Sequence, residues 1–382
     1  MIRGRAGRRA WLAAALVHAG CVINVELQRP GILVDAPVDR ADSVFADAAD
    51  EAPRDASPVD APSVDTIVVD IADARRDAVD DTRTDVASDA TDSGGPRWLP
   101  VFSGTFSDLR AIFGTGPNDV WTVGDEGTAL HWDGARWTRS STGTMAALRG
   151  VWGSSPVDFW AVGSERFTAP VVLHWNGGAW TRDLSATLPM PLNAVTGSSA
   201  ADVWVVGGGG IGGTTDALHW DGSSWSRVMV SPTPAQFFGA WTISATNVWI
   251  AAGDGSLFHW DGSLWASTST RAPLGPLGNS LWGESSESAF AIGGRGVLQQ
   301  YNMGTWSTVS VGTLNSLRAV WGLTVEAWSV GDRGTVARRD PGTMTWTSVE
   351  GVAPRTLWNV WASSPSDVWA VGEAGTIVHY TR

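Results

Sequence analysis

Residues 127–137 read "GTALHWDGARW" and place His131, Asp133, Trp132 and Trp137 within seven residues. Such a set can serve chemistry or architecture. It returns as "LHWNGGAW" (173–180), "LHWDGSSW" (218–225) and "FHWDGSLW" (258–265), and in altered form at 300–306 and 338–346. Apart from His18, every histidine falls on this one repeat position: His131, His174, His219, His259 and His379. A catalytic imidazole is needed once, so five equivalents point to a hydrogen bond repeated for structure. The Asp-Gly pair at 133–134 predicts a two-residue hairpin turn, because aspartate and glycine tolerate positive φ.

Outward from this hairpin, a second motif, Asp-Val-Trp-Ala-Val-Gly, recurs with variation from Asp119 to Gly372. Its central aromatic is Trp121, Trp160, Trp204, Trp249, Phe290, Trp328 and Trp369, at spacings of 39, 44, 45, 41, 38 and 41 residues. Units of that length suit a four-stranded propeller blade. Each divides into a strand such as "LRGVW", a Ser/Pro/Asp turn, a strand such as "FWAVG", a glycine-bearing turn, and the hairpin. Asp119, Asp158, Asp202 and Asp367 recur in the first of these turns, where a short acceptor suits nearby backbone N–H groups. The seventh unit stops at 380–382 without a fourth strand, while residues 94–104, "GGPRWLPVFSG", read as a lone fourth strand with Trp98 in the place of Trp137. The expected fold is all-β: a seven-bladed propeller over 96–382 whose last blade is closed by the N-terminal strand, leaving no open edge.

Two other kinds of sequence precede the repeats. Residues 1–21 carry four arginines, an apolar run and small residues before the only cysteine, Cys21, which is the layout of a bacterial export signal. A solitary thiol forms no internal disulfide, and its position resembles the lipid-modified cysteine of a lipoprotein. Acylation there would supply the two or more chains that stable membrane attachment requires. Residues 22–95 hold 18 acidic residues against 6 arginines, with Phe45 the one aromatic. Such a linker buries too little apolar surface to offset its chain entropy and is expected to be disordered, with a span on the order of 50 Å.

The repeats resemble the Asp-box propellers of sialidases and of photosystem assembly-factor-like proteins, whose hairpin reads roughly Ser-x-Asp-x-Gly-x-Thr-Trp. In residues 131–137 the aspartate and glycine are adjacent and the hairpin is one residue shorter. The whole chain resembles tryptophan-rich, Asp/Ala-tethered lipoproteins of deltaproteobacteria. That resemblance implies the cell envelope, with the outer membrane as the anchoring surface; a secreted protein is the alternative. It implies no activity, since one scaffold hosts many functions.

The net charge of -13 argues against a nucleic-acid partner. A sialidase-type nucleophile has no candidate, because Tyr301 and Tyr380 both occupy the hairpin tryptophan position. Glu165, Glu284, Glu287 and Glu350 form no defensible catalytic pair, the glycine-rich 207–213 lacks a phosphate-loop lysine, and no residue set suggests a metal or cofactor. The expectation is a monomeric, non-enzymatic, membrane-anchored propeller that binds a protein or glycan; an exported carbohydrate-active hydrolase is the alternative. Two second-to-third-strand loops are enlarged, 164–170 and 207–216, and nominate Arg166, Phe167 and Asp216 as ligand contacts. The proline-bearing stretch 228–236 is read as a stiffened connection between blades.

Overall fold

The computed structural model describes residues 97–381, apart from 167–168, 187–189, 209–214, 270–279 and 286. Cys21 and the acidic linker therefore lie outside the described residues. The described residues form seven four-stranded antiparallel sheets. Blade one consists of Leu109–Gly116, Asp119–Gly124, Ala129–Trp132 and Trp137–Arg139, in that order from the axis outward. Blades two to six repeat the pattern. Blade seven takes its inner three strands from Leu357–Ser364, Asp367–Gly372 and Ile377–Thr381, and its outer strand from Arg97–Val101. Trp98 lies opposite Tyr380 and Leu99 opposite His379, the register in which Trp137 faces Trp132 and Thr138 faces His131.

The second strands are buried on both faces, which explains their unbroken apolar runs. Their aromatics join neighbouring blades. Trp121 packs at 4.9 Å from Trp175 and edge-on at 5.1 Å from Trp180 of blade two. Trp160 meets Trp220 and Trp225 of blade three in the same way, and Trp204 meets Trp260 and Trp265 of blade four. Trp369 of blade seven reaches Trp132 and Trp137 of blade one, so the clasp runs across the closing junction too. Blade six alters the pattern, placing Trp346 edge-on and the Arg339 guanidinium 5.1 Å over the ring of Phe290. Offset and edge-to-face pairs add to what area burial supplies.

The motif glycine is set by a close approach. A Cβ on Gly163 would lie 2.0 Å from the carbonyl oxygen of Ala147, on the neighbouring inner strand. That contact accompanies a bulge: Leu148 faces Gly163 and Gly150 faces Val162, leaving Arg149 as the extra residue. Equivalent shifts skip Arg110, Asn193, Phe238, Arg318 and Trp358 in blades one, three, four, six and seven.

Two local expectations need correction. The hairpin of the opening stretch has a four-residue loop, 133–136, with Trp132 opposite Trp137; of the Asp-Gly pair only Gly134 has positive φ. Asp133 serves instead through its side chain, accepting the N–H groups of Ala135 and Arg136. Asp221 does the same in blade three, and bonds from Ser223 and Ser224 bring its carboxyl down to about 2. The stretch 228–236 is not wholly a connection, since Trp225–Ser231 is a strand.

Candidate functional site

Cross-strand register brings four of the five repeat histidines to the aspartate that begins the second strand. His131 Nε2 lies 2.7 Å from Asp119 Oδ1, His174 2.6 Å from Asp158, His219 2.8 Å from Asp202 and His379 2.6 Å from Asp367. An ionised carboxylate only accepts, so Nε2 carries the proton in each. The second carboxylate oxygen accepts a hydroxyl four residues upstream, from Thr115, Ser154, Ser198 or Ser363. These aspartates therefore bind side chains of their own blade, not the turn's backbone N–H groups as the sequence suggests. Each imidazole also stacks on the second-strand tryptophan, at 3.7 Å between ring centroids for His379 and Trp369.

The arrangement has hydroxyl, carboxylate and imidazole in that order. In an acyl-transfer triad the imidazole sits in the middle and takes the hydroxyl proton. Here the carboxylate occupies the middle, and no base reaches the hydroxyl through these contacts. Where the acid changes, its partners change. Blade four pairs Asn247 with His259 at 2.9 Å and has Ile243 at the hydroxyl position; blade six pairs Glu326 with Arg338 and has Gly322 there.

These sets make acid stability testable. Burial opposes ionisation of Asp202, but bonds from His219, Ser198 and Trp204 and the charge of His219 outweigh it, holding the carboxyl below its ordinary 3.8. A depressed folded-state value contributes stability that is full above the unfolded value and disappears as pH falls through the folded one. Asp202→Asn, which copies blade four, is expected to change stability at pH 7 by no more than about 1 kcal/mol. It should also flatten the loss of stability below pH 3.8 in acid titrations of the denaturation midpoint. An identical acid limb would refute the assignment. His259, whose hydrogen-bond partner is the neutral Asn247, is held below 6.5 by burial, against a smaller opposing pull from Asp261. Asn247→Asp should raise that value, read from the imidazole resonances in an NMR titration.

All the Asp–His sets lie toward one end of the wheel, where second strands begin and third strands finish. At the other end the bulge residues open into a central well of about 260 Å³. Its rim holds Arg110, Arg149, Arg318, Asn193, Phe238 and Trp358, all bulge positions. A bulge re-aims the extra side chain, here toward the axis. The floor is aromatic: Phe113 lies 5.8 Å from Trp321, Trp321 lies 5.1 Å from Trp241, and Phe113 lies 6.3 Å from Trp152. Trp358 carries the Arg110 and Arg318 guanidinium carbons at 4.8 Å each from its ring centroid.

The three guanidiniums differ in their partners. Arg110 bonds to Asp125 and Arg318 to Asp332, and both acids directly follow a motif glycine. Burial works against the charge of Arg110, but Asp125, Asp108 and Glu373 more than compensate and raise its pKa. In blade two the residue after the glycine is Ser164. Arg149 has no carboxylate within ion-pair distance among the described residues; it donates 2.9 Å to Asn193 Oδ1. Burial and the nearby Arg110 depress its pKa, against a weaker pull from Asp125. None of these rim residues was singled out by the sequence reading.

Of the nominated loop contacts, Arg166 tops the blade-two hairpin, exposed and at φ 49°. It borders a groove of about 840 Å³ with Arg139, Thr144, Met145 and Glu165. Glu165 is engaged, accepting Thr144 Oγ1 at 2.6 Å and Arg182 at 3.2 Å. Phe167 lies outside the described residues, as does most of the glycine-rich loop. Asp216 is not a loop residue: it stands buried on Thr215–Trp220, bonded to Arg227, and makes a structural pair.

No protein-family model matches the chain, and no curated protein sequence does. Solved structures share its fold. YCF48 bound to D1 peptide superposes over 75% of this chain and 95% of its own, with TM-score 0.60 and 14% identity. The WD40 propeller domain of Doa1 gives TM-score 0.63 at 15% identity, over 75% of this chain and 97% of that one. Streptogramin B lyase gives 0.60 at 13%, over 75% and 97%. At such identities the likeness is one of fold.

Proposed function

We propose that the protein is a non-enzymatic binding propeller of the cell envelope, anchored through lipid on Cys21 and docking a protein partner with the face that carries the arginine well. The observation that carries this reading is that the four most exposed large apolar side chains among the described residues, Phe106, Phe102, Leu314 and Leu184, share this face, while less exposed ones such as Val157 and Leu264 lie on the other. Phe106 is 92% and Phe102 90% exposed, and Met145, Leu184 and Leu314 are also highly exposed. All five belong to connections from a fourth strand to the next first strand, which gather on that face. Large apolar side chains left this exposed on one face mark a surface that a protein partner can cover. That YCF48 is known with a bound peptide shows a propeller of this shape engaging a peptide, which supports the reading by analogy.

The test is site-directed cross-linking on intact envelopes from Phe106 and Leu314, with Met303, on the opposite face, as control. A discrete adduct from each of the first two positions is expected, with the one from Leu314 lost in Phe102→Ser/Phe106→Ser; equal adducts from Met303 would defeat the assignment of the face. Mass spectrometry of the mature amino terminus should find acylated Cys21, and Cys21→Ser should move the protein into the soluble fraction. Recovery of an unmodified terminus would remove the anchor.

A further inference from the structure

The well contains an incomplete set of charges. In blades one and six the bulge arginine meets an acid supplied by the residue after the motif glycine, Asp125 or Asp332. In blade two that residue is Ser164, whose buried Oγ has no hydrogen-bond partner among the described residues. Arg149 thus keeps a half-buried guanidinium without a counter-ion among the described residues, on the rim of a cavity. Trp358, on the same rim, stacks under Arg110 and Arg318, and its buried indole N–H has no acceptor among the described residues. Other indole N–H groups without acceptors belong to the tryptophan clasps between blades. An uncompensated buried charge is costly, and a bound anion relieves it most where further donors converge.

We infer that this well is a binding site for a monocarboxylate on an aromatic or apolar stem, with Arg149 receiving the carboxylate beside Asn193 and the Phe113–Trp321–Trp241 floor receiving the stem. A single carboxylate matches the single acid that blade two lacks. Asp125 and Asp108 at Arg110, and Asp332 at Arg318, already neutralise the other two arginines, so a dianion such as phosphate would meet their carboxylates as like charges. The volume of about 260 Å³ admits one small acid or one terminal residue of a peptide. The carboxylate is therefore either that of a free acid or the C-terminus of a chain inserted end-on. The second source rests on the docking role proposed above and deepens it.

The test is calorimetric titration of the full chain with N-acetylphenylalanine, its carboxamide, inorganic phosphate, and one pentapeptide ending in phenylalanine in free-acid and amidated forms. Binding of a free acid at least tenfold tighter than its amide, with phosphate weaker still, is expected. Either the amino acid or the pentapeptide satisfies this, and the one that binds more tightly identifies the source. Arg149→Gln should weaken the free acid at least tenfold. Ser164→Asp should do the same by supplying from within the chain the acid that blades one and six contain, while keeping or raising the melting temperature. Equal binding of acid and amide, preference for phosphate, no binding of any probe, or full affinity in a folded Ser164→Asp variant would overturn the inference. The small-acid titration does not depend on a protein partner, so its outcome and that of the cross-linking are judged separately.

Discussion

Removal of residues 97–104 is expected to lower the melting temperature by about 10 °C or more. The segment supplies the outer strand of blade seven, five residues paired from Arg97 with Thr381 to Val101 with Ile377. It also brings Trp98 to 5.4 Å from Tyr380 and against the cluster that contains Trp328. Truncation would therefore expose a row of unpaired backbone groups on Ile377–Thr381 and unseat the clasp between blades six and seven. A synthetic peptide of residues 97–104, added in excess, should restore part of the lost stability by mass action. If the truncated and intact proteins melt together, the strand does not close the ring energetically.

Trp160→Ala should cost about 3–5 kcal/mol, the range for deleting a buried aromatic. Trp160 is 2% exposed, stacks on His174 within its blade, and packs between Trp220 and Trp225 of the next. Its loss leaves a cavity in the wall between two blades, where the rest of the ring resists collapse into the space. Trp160→Phe should be milder, at about 1–2 kcal/mol, because Phe290 fills the equivalent position in blade five. His174→Ala should fall well below the tryptophan deletion, at about 1 kcal/mol, since it removes one hydrogen bond and a stacked ring at a half-exposed site. Chemical denaturation of the three variants reads the order directly. A histidine deletion as damaging as that of the tryptophan would mean that the polar sets, not the aromatic clasps, hold the blades together.

The blade count and the closing strand were legible because both rest on spacing. Seven aromatic centres at near-constant intervals and a stray "PRWLPV" before the first unit suffice. What lies opposite each histidine was not, since Asp119 and His131 are brought together by strand register and read separately as turn and hairpin residues. Asp216 was misplaced for a related reason: its strand begins one residue earlier, at Thr215, and its partner Arg227 lies across the next turn. The well escaped notice because a bulge adds one residue and breaks the alternation by which inward and outward positions are told apart. Alternation alone gives no face to Arg110, Arg149 and Arg318. Their one visible trace was shared position, each directly after a buried leucine, Leu109, Leu148 or Leu317.

Pairing Arg97 with Thr381 joins points roughly 280 residues apart, whereas every other hairpin in the wheel is made from near neighbours. During synthesis, blades one to six can assemble in order from local hairpins, but the opening strand must wait without a mate until the chain has been made through Thr381. For that interval it is the segment most open to capture by chaperones or by another nascent copy. The finished ring thus carries its kinetic weak point at the seam that later secures it.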